Sequence, residues 1–158
     1  MGLLLSPYEG LEDLVASSAK FRTITGAATA TAAEDYIHYP HPEDDSVRPW
    51  ALIDNGAGTE WEDTVRFSAG GSLMLTIEIP KSTYSVPTTH KGKFAAFMAD
   101  VDTIIEQMVA NSNAAKGDGS NYWNLTSVTQ AEGATPVDEE AGELDSPYYT
   151  CAFLCRWV

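Results

Sequence analysis

The sequence predicts a two-layer α+β domain, and three observations carry that reading. The stretch Lys93 to Asn111 places Phe94, Phe97, Met98, Val101, Ile104, Ile105, Met108 and Val109 at alternating three- and four-residue steps. Steps of that size put all eight on one stripe of an α-helix of about five turns. Leu73, Leu75, Ile77 and Ile79 alternate with Met74, Thr76 and Glu78, the period of a half-buried strand. The terminal run YYTCAFLCRWV, Tyr148 to Val158, is rich in aromatic and branched residues and is strongly β-prone. An apolar helical stripe has to bury itself against a flat apolar surface. These strands supply one, in an antiparallel or mixed sheet of about four strands.

Taken in order, Ser6-Pro7-Tyr8-Glu9 combines a capping serine, a proline at the first helical position and a glutamate two residues further on. Leu11, Leu14, Val15 and Phe21 then supply a narrower apolar stripe, so a first helix is expected to run to about Lys20. Thr23 to Thr31 shows no clear period, and a short helix is expected from Thr31 to Ile37. Pro40 and Pro42 end it. Arg48 to Asp54 reads as a strand whose Pro49 belongs at an edge or at its first residue. Trp61 to Phe67 alternates weakly, as a short strand or an ordered loop.

Gly70-Gly71 leads into the Ser72 to Pro80 strand, and Lys81 to Gly92 is expected to be a loop. After the central helix, Ser112 to Ser120 has the composition of a mobile linker. Asn121 to Gln130 reads as a strand, and Ala131 to Pro147 as an acidic loop or hairpin arm. The predicted order over the single domain, residues 1–158, is α-β-β-α-β-β, with loops 81–92 and 131–147 as projecting arms.

With 23 acidic against 9 basic residues the formal charge is −14, and no basic cluster is present to release counterions from DNA. The same charge argues against an anionic membrane surface. No run approaches the roughly 18 apolar residues of a membrane span. Met1 to Leu5 lacks the basic flank and length of a signal peptide, so an intracellular protein is expected. Cys151 and Cys155 lie four apart in a predicted strand, roughly 13 Å between α-carbons, too far to bridge each other. Both are expected as buried thiols on one face.

The residue types that carry chemistry are scattered. His38 and His41 are three apart, but the flanking prolines oppose a regular turn that would bring them to one metal. His90 stands beside lysines without a nucleophile in a defined elbow. Gly117-Asp118-Gly119 lacks the remaining ligands of a calcium loop. Asn124-Leu125-Thr126 is a glycosylation sequon in form, expected inside a strand. Trp50, Trp61, Trp123 and Trp157 are expected in the core or at a subunit interface rather than as a carbohydrate platform. No phosphate loop or dinucleotide fingerprint occurs. No catalytic residue, metal site or cofactor is expected, and the chain is not expected to be an enzyme.

The ordered pattern resembles a known family. A capped N-terminal helix is followed by Arg-Pro-x-Ala-x-Ile (Arg48 to Ile53), then a glycine-led strand (Gly71 to Ile79) and the amphipathic helix. An arm from Leu125 to Glu140 and the terminal YYTCAFLCRWV strand complete it. Together these resemble tail terminator, or tail completion, proteins of lambda-like siphophages and their prophage relatives. The resemblance implies a virion protein of the tail or neck, assembled in the host cytoplasm. It would form a ring, hexameric in the lambda-like case, that ends polymerisation of the tail tube protein. The ring would also present a surface to a head-completion or connector protein, with DNA passing through and not specifically gripped.

Another neck component, a head-closure or connector protein, is the alternative reading, and an acidic DNA mimic is the alternative from a different class. Ring contacts are heterologous. The expected complementary patches are a basic set, Lys81, Lys91 and Lys93, and the acidic arm with Asp138, Glu139, Glu140 and Glu143.

Overall fold

Among the described residues ten secondary-structure segments build a five-stranded mixed sheet with its helices against one face. The structure is a computed structural model, and it describes residues 6–40, 48–54, 71–86, 88–118, 125–132 and 147–157. The elements are α1 (Ser6–Ser17), α2 (Ala19–Thr25), α3 (Ala30–Glu34), β1 (Ile37–His38), β2 (Trp50–Asp54) and β3 (Gly71–Pro80). A 3-10 turn (Lys81–Thr83), α4 (His90–Asp118), β4 (Leu125–Glu132) and β5 (Tyr148–Trp157) follow. The α+β class predicted from the sequence is the one observed.

The strand order is β1-β2-β3-β5-β4. Only β1 and β2 run parallel; β2–β3, β3–β5 and β5–β4 are antiparallel. Alternation decides which face is buried. Leu73, Leu75, Ile77 and Ile79 of β3 are buried, opposite Cys155, Phe153, Cys151 and Tyr149 of β5. Ala51 and Ile53 continue the same face onto β2. Above them Leu11, Leu14, Val15, Phe21, Phe97, Val101, Ile104 and Met108 close one hydrophobic core. Both cysteines are free and buried on that face, as their spacing predicts.

Five differences from the sequence reading have identifiable causes. The fifth strand, β1, lies where the sequence suggests the end of a short helix. Thr29 caps α3 by accepting from the Ala32 N–H at 3.1 Å, so that helix starts early and ends by Glu34. The chain is then extended in time for Tyr36 C=O to accept from Ala51 N–H at 2.9 Å.

The first helix does not run through to Lys20. Ser18, in extended geometry, caps a second helix by accepting from Phe21 N–H, and Gly26 at φ 76° closes it. The Ala27 N–H reaches back to Arg22 C=O at 2.9 Å, the usual satisfaction of a helix end through a left-handed glycine.

The long helix is longer than its apolar repeat, because Thr89 caps it: its hydroxyl accepts from Gly92 N–H and its carbonyl from Lys93 N–H. Residues 112–118, expected as linker, continue the helix. Ser112 is buried and its hydroxyl accepts from Leu125 N–H at 3.3 Å, tying the helix to the start of β4.

The eight-residue stripe is wider than the buried face. Phe97, Val101, Ile104 and Met108 are fully buried, Phe94, Met98 and Ile105 only partly, and Val109 is exposed.

Finally, residues 81–92 are not one free arm. Tyr84 is buried with its hydroxyl donating to Asp100 at 2.9 Å, and His90 to Gly92 belong to α4. The weakly alternating 61–67 stretch, His41 and residues 133–146 of the acidic arm lie outside the described residues.

Candidate functional site

The three lysines of the expected basic patch occupy two settings. Lys81 opens the 3-10 turn, its backbone N–H donating to Pro147 C=O at 2.9 Å and its ammonium standing 5.3 Å from the Tyr149 ring centre. Lys91 and Lys93 lie in the first turn of α4, which contains no acidic residue. Cations there oppose the positive end of the helix dipole, an arrangement that gains from an external anion. Neither makes an ion pair among the described residues. Asp138, Glu139, Glu140 and Glu143 lie outside the described residues.

The ion pairs Lys20–Asp100 and Arg48–Glu78 are both built into packing. Arg48 bonds Glu78 at 3.2 Å, with its guanidinium 3.8 Å from the Trp50 ring centre and 4.8 Å from that of Tyr148. Register places Trp50, Glu78 and Thr150 side by side on the sheet face away from the helices. Lys20 bonds Asp100 at 3.0 Å, and the other carboxylate oxygen accepts from Tyr84. Burial and this bond to a carboxylate push the Tyr84 hydroxyl well above its usual range. Each polar group is thereby committed to a neighbour.

His38 sits beside Trp50, ring centres 5.2 Å apart, and its buried Nε2 has no hydrogen-bond partner among the described residues. Burial first, and then the nearby Arg48 charge, lower its pKa and favour the neutral ring. His90 contacts Tyr149 at 6.3 Å between centres. Among the described residues no three His, Cys, Asp or Glu side chains gather as a metal site. The long, apolar geometry of a membrane-spanning helix is also absent among them.

A cluster that sequence spacing alone does not reveal lies where α1 meets α3. Glu12 accepts from the Tyr39 hydroxyl, and Tyr39 packs edge-on against Tyr8. Burial raises the pKa of Glu12 and Asp13, and the charges of Glu34 and Glu9 raise both further. Carboxylates whose folded pKa is raised bind protons more readily folded than unfolded. Their contribution to stability therefore falls as pH rises through the interval above their ordinary values. Glu34→Lys should raise the melting temperature at neutral pH. The gain should be a few tenths of a kcal/mol because the groups are partly solvated, and it should shrink in high salt and at acidic pH. Thermal melts across pH check this, and an unchanged or lower melting temperature at neutral pH would refute the repulsion.

Cys155 is enclosed and its thiol is pushed up to about 12 by burial; burial and then the Asp102 charge raise that of Cys151. A protonated, enclosed thiol is a poor nucleophile. Iodoacetamide in mildly alkaline buffer should leave Cys155 unmodified in the folded protein and alkylate it after denaturation. Rapid native labelling, read by mass spectrometry, would contradict its placement.

Comparison with protein-family models, curated proteins and solved structures finds no match to this chain.

Proposed function

We propose that the chain is a structural virion protein that joins copies of itself in a ring, ending a phage tail tube and offering a surface to the head. The observation that supports this reading best is the one-sided burial of the sheet. Helices cover the face of Leu75, Ile77 and Phe153. The opposite face carries Leu52, Met74, Ala152 and Leu154 partly exposed at adjacent register across β2, β3 and β5. A protein stacked between two partners needs a broad, flat surface of this kind distinct from those it shows its ring neighbours. Partly exposed apolar rows are ordinary interface material. The resemblance in element order supplies the specific form of the assembly, and the acidic surface would let DNA pass without being held.

Two measurements test the reading. Native mass spectrometry over concentration and salt should give a discrete closed oligomer, most tellingly six copies. Adding the protein to growing tail tubes should then stop elongation and leave the ring at the tube end. A protein that stays monomeric and leaves tube length unchanged is not a terminator. An oligomer that binds connector rather than tube would make it another neck component. The gathering of Glu9, Glu12, Asp13 and Glu34 keeps the DNA-mimic reading in view. A monomer that displaces DNA from a nucleic-acid-binding enzyme would establish it.

A further inference from the structure

Strand β1 consists of Ile37 and His38 alone, and among the described strands it pairs only with β2. Tyr36 C=O accepts from Ala51 N–H at 2.9 Å, and at the other end the Tyr39 hydroxyl donates to Glu12 of α1. An edge held by so few bonds opens at a lower free energy than the strands inside the sheet. The surroundings of its two side chains therefore weigh heavily in keeping it docked.

Ile37 is buried in the core opposite Ala51, so His38 stands on the outer face of the sheet with Trp50. The two rings lie 5.2 Å apart between centres at a tilt of 58°, and the enclosed His38 Nε2 has no hydrogen-bond partner among the described residues. The Arg48 guanidinium stands 3.8 Å from the centre of the same Trp50 ring and 4.8 Å from that of Tyr148. Both oxygens of Glu78 are engaged, by Arg48 at 3.2 Å and by the Thr150 hydroxyl at 3.5 Å. Among the described residues no carboxylate pairs with the imidazole. On the helix side of β1, Glu9, Glu12 and Asp13 act on Tyr39, and Glu34 acts on Glu12. Of these charges, that of Arg48 is the one felt by the His38 ring.

We propose that His38 is an acid-operated latch: protonation of its ring releases β1 from β2. An imidazolium carries an N–H on both nitrogens, so the enclosed Nε2 becomes a donor with nothing described to accept from it. The same proton adds a second cation beside Arg48. Water relieves both when the ring leaves Trp50, and because His38 is half of β1 the strand leaves with it. Burial and then the Arg48 charge lower the folded pKa from its ordinary value of 6.5. Docking is therefore at full strength above that value, weakens as pH falls below it, and is lost as pH passes through the lower folded value. One proton limits the rise in opening to about tenfold per pH unit. Glu12 and Asp13, with raised pKa, act in the opposite sense and favour the docked helices as pH falls. The switch needs no partner molecule.

Hydrogen exchange of the full chain, followed by mass spectrometry on either side of the ordinary imidazole value and corrected for intrinsic exchange, tests the latch. The Ala51 amide and those of β1 should lose protection on the acid side, by at most about tenfold per pH unit, while amides between β3 and β5 keep theirs. His38→Phe keeps a ring that cannot charge, and should hold protection at both pH values. Imidazole resonances, assigned by subtraction with His41→Gln and His90→Gln, should place the His38 midpoint below 6.5. Arg48→Gln should raise that midpoint, and the pH at which protection is lost should move with it. The titration and the Arg48→Gln comparison stand even where His38→Phe does not fold. Glu43, Asp44 and Asp45 lie outside the described residues. A midpoint at or above the ordinary value, which one of those carboxylates against the ring would produce, overturns the latch. So does an acid loss of protection that His38→Phe shares, or a lowered midpoint with protection unchanged, the sign of a ring that turns out alone.

Discussion

Replacing Phe97 with alanine should destabilise the fold by about 3–5 kcal/mol, the usual cost of removing a fully buried aromatic ring. Phe97 stacks on Tyr149 with centres 5.2 Å apart and planes 26° apart, and Tyr84 and Phe94 approach it at 6.3 and 6.4 Å. It joins α4 to β5 and to the loop held by Tyr84. The cavity is lined by rings already committed elsewhere, Tyr84 to Asp100 and Tyr149 to Lys81. Stiff, tethered walls collapse poorly, which favours the upper part of that range. Urea unfolding should show a lower midpoint with little change in slope. Phe97→Leu, which refills most of the volume, should recover more than half of the loss. A Phe97→Ala protein within about 1 kcal/mol of the parent would show that this cluster is not part of the packed core.

The second large effect concerns a single amide. Gln107 Oε1 accepts from the Ser18 hydroxyl at 2.8 Å and from the Lys20 backbone N–H at 2.9 Å. Ser18 is fully buried and also accepts from Phe21 N–H. Gln107→Leu keeps much of the volume yet strands a buried hydroxyl and a helix-start N–H, at a cost of about 1–3 kcal/mol for the unsatisfied donors. Changing Ser18→Ala as well should cost less than the sum of the two single changes, since one interaction is lost in both. Denaturant titration of the four proteins measures the coupling. Additive losses would mean that Gln107 and Ser18 act independently.

Both expectations concern contacts that only the folded chain reveals, yet much of the framework was legible beforehand. The alternation of Leu73 to Ile79 and the composition of Tyr148 to Trp157 gave two strands, and the fold sets them side by side. Their period of two follows from side-chain geometry and depends little on context. The repeat from Phe94 to Val109 gave the apolar side of α4 for the corresponding reason, and its Phe97, Val101, Ile104 and Met108 are the part fully buried. The candidate interaction surface was legible only in its lysines. The acidic residues expected opposite them, Asp138, Glu139, Glu140 and Glu143, lie outside the described residues. The exposure of Val86 and Val109 has no sequence signature, because one apolar residue in a loop, or one more on a helical stripe, has no pattern that sets it apart.

The sequence by itself determined the α+β class, the apolar sides of β3, β5 and α4, the buried pair of cysteines and the acidic net charge. Each is a local property of residue type and spacing, the level at which short-range sterics and solvation act. Tertiary structure decided where the first helix breaks, because Ser18 finds Gln107 some 89 residues away. It added β1 as a parallel edge, since two residues of strand form only when β2 offers hydrogen bonds. It also decided which part of the α4 stripe stays in contact with water. The stripe spans more of the helix than the sheet and its neighbours can cover, and only the placement of α1 and α2 shows which flank is left over.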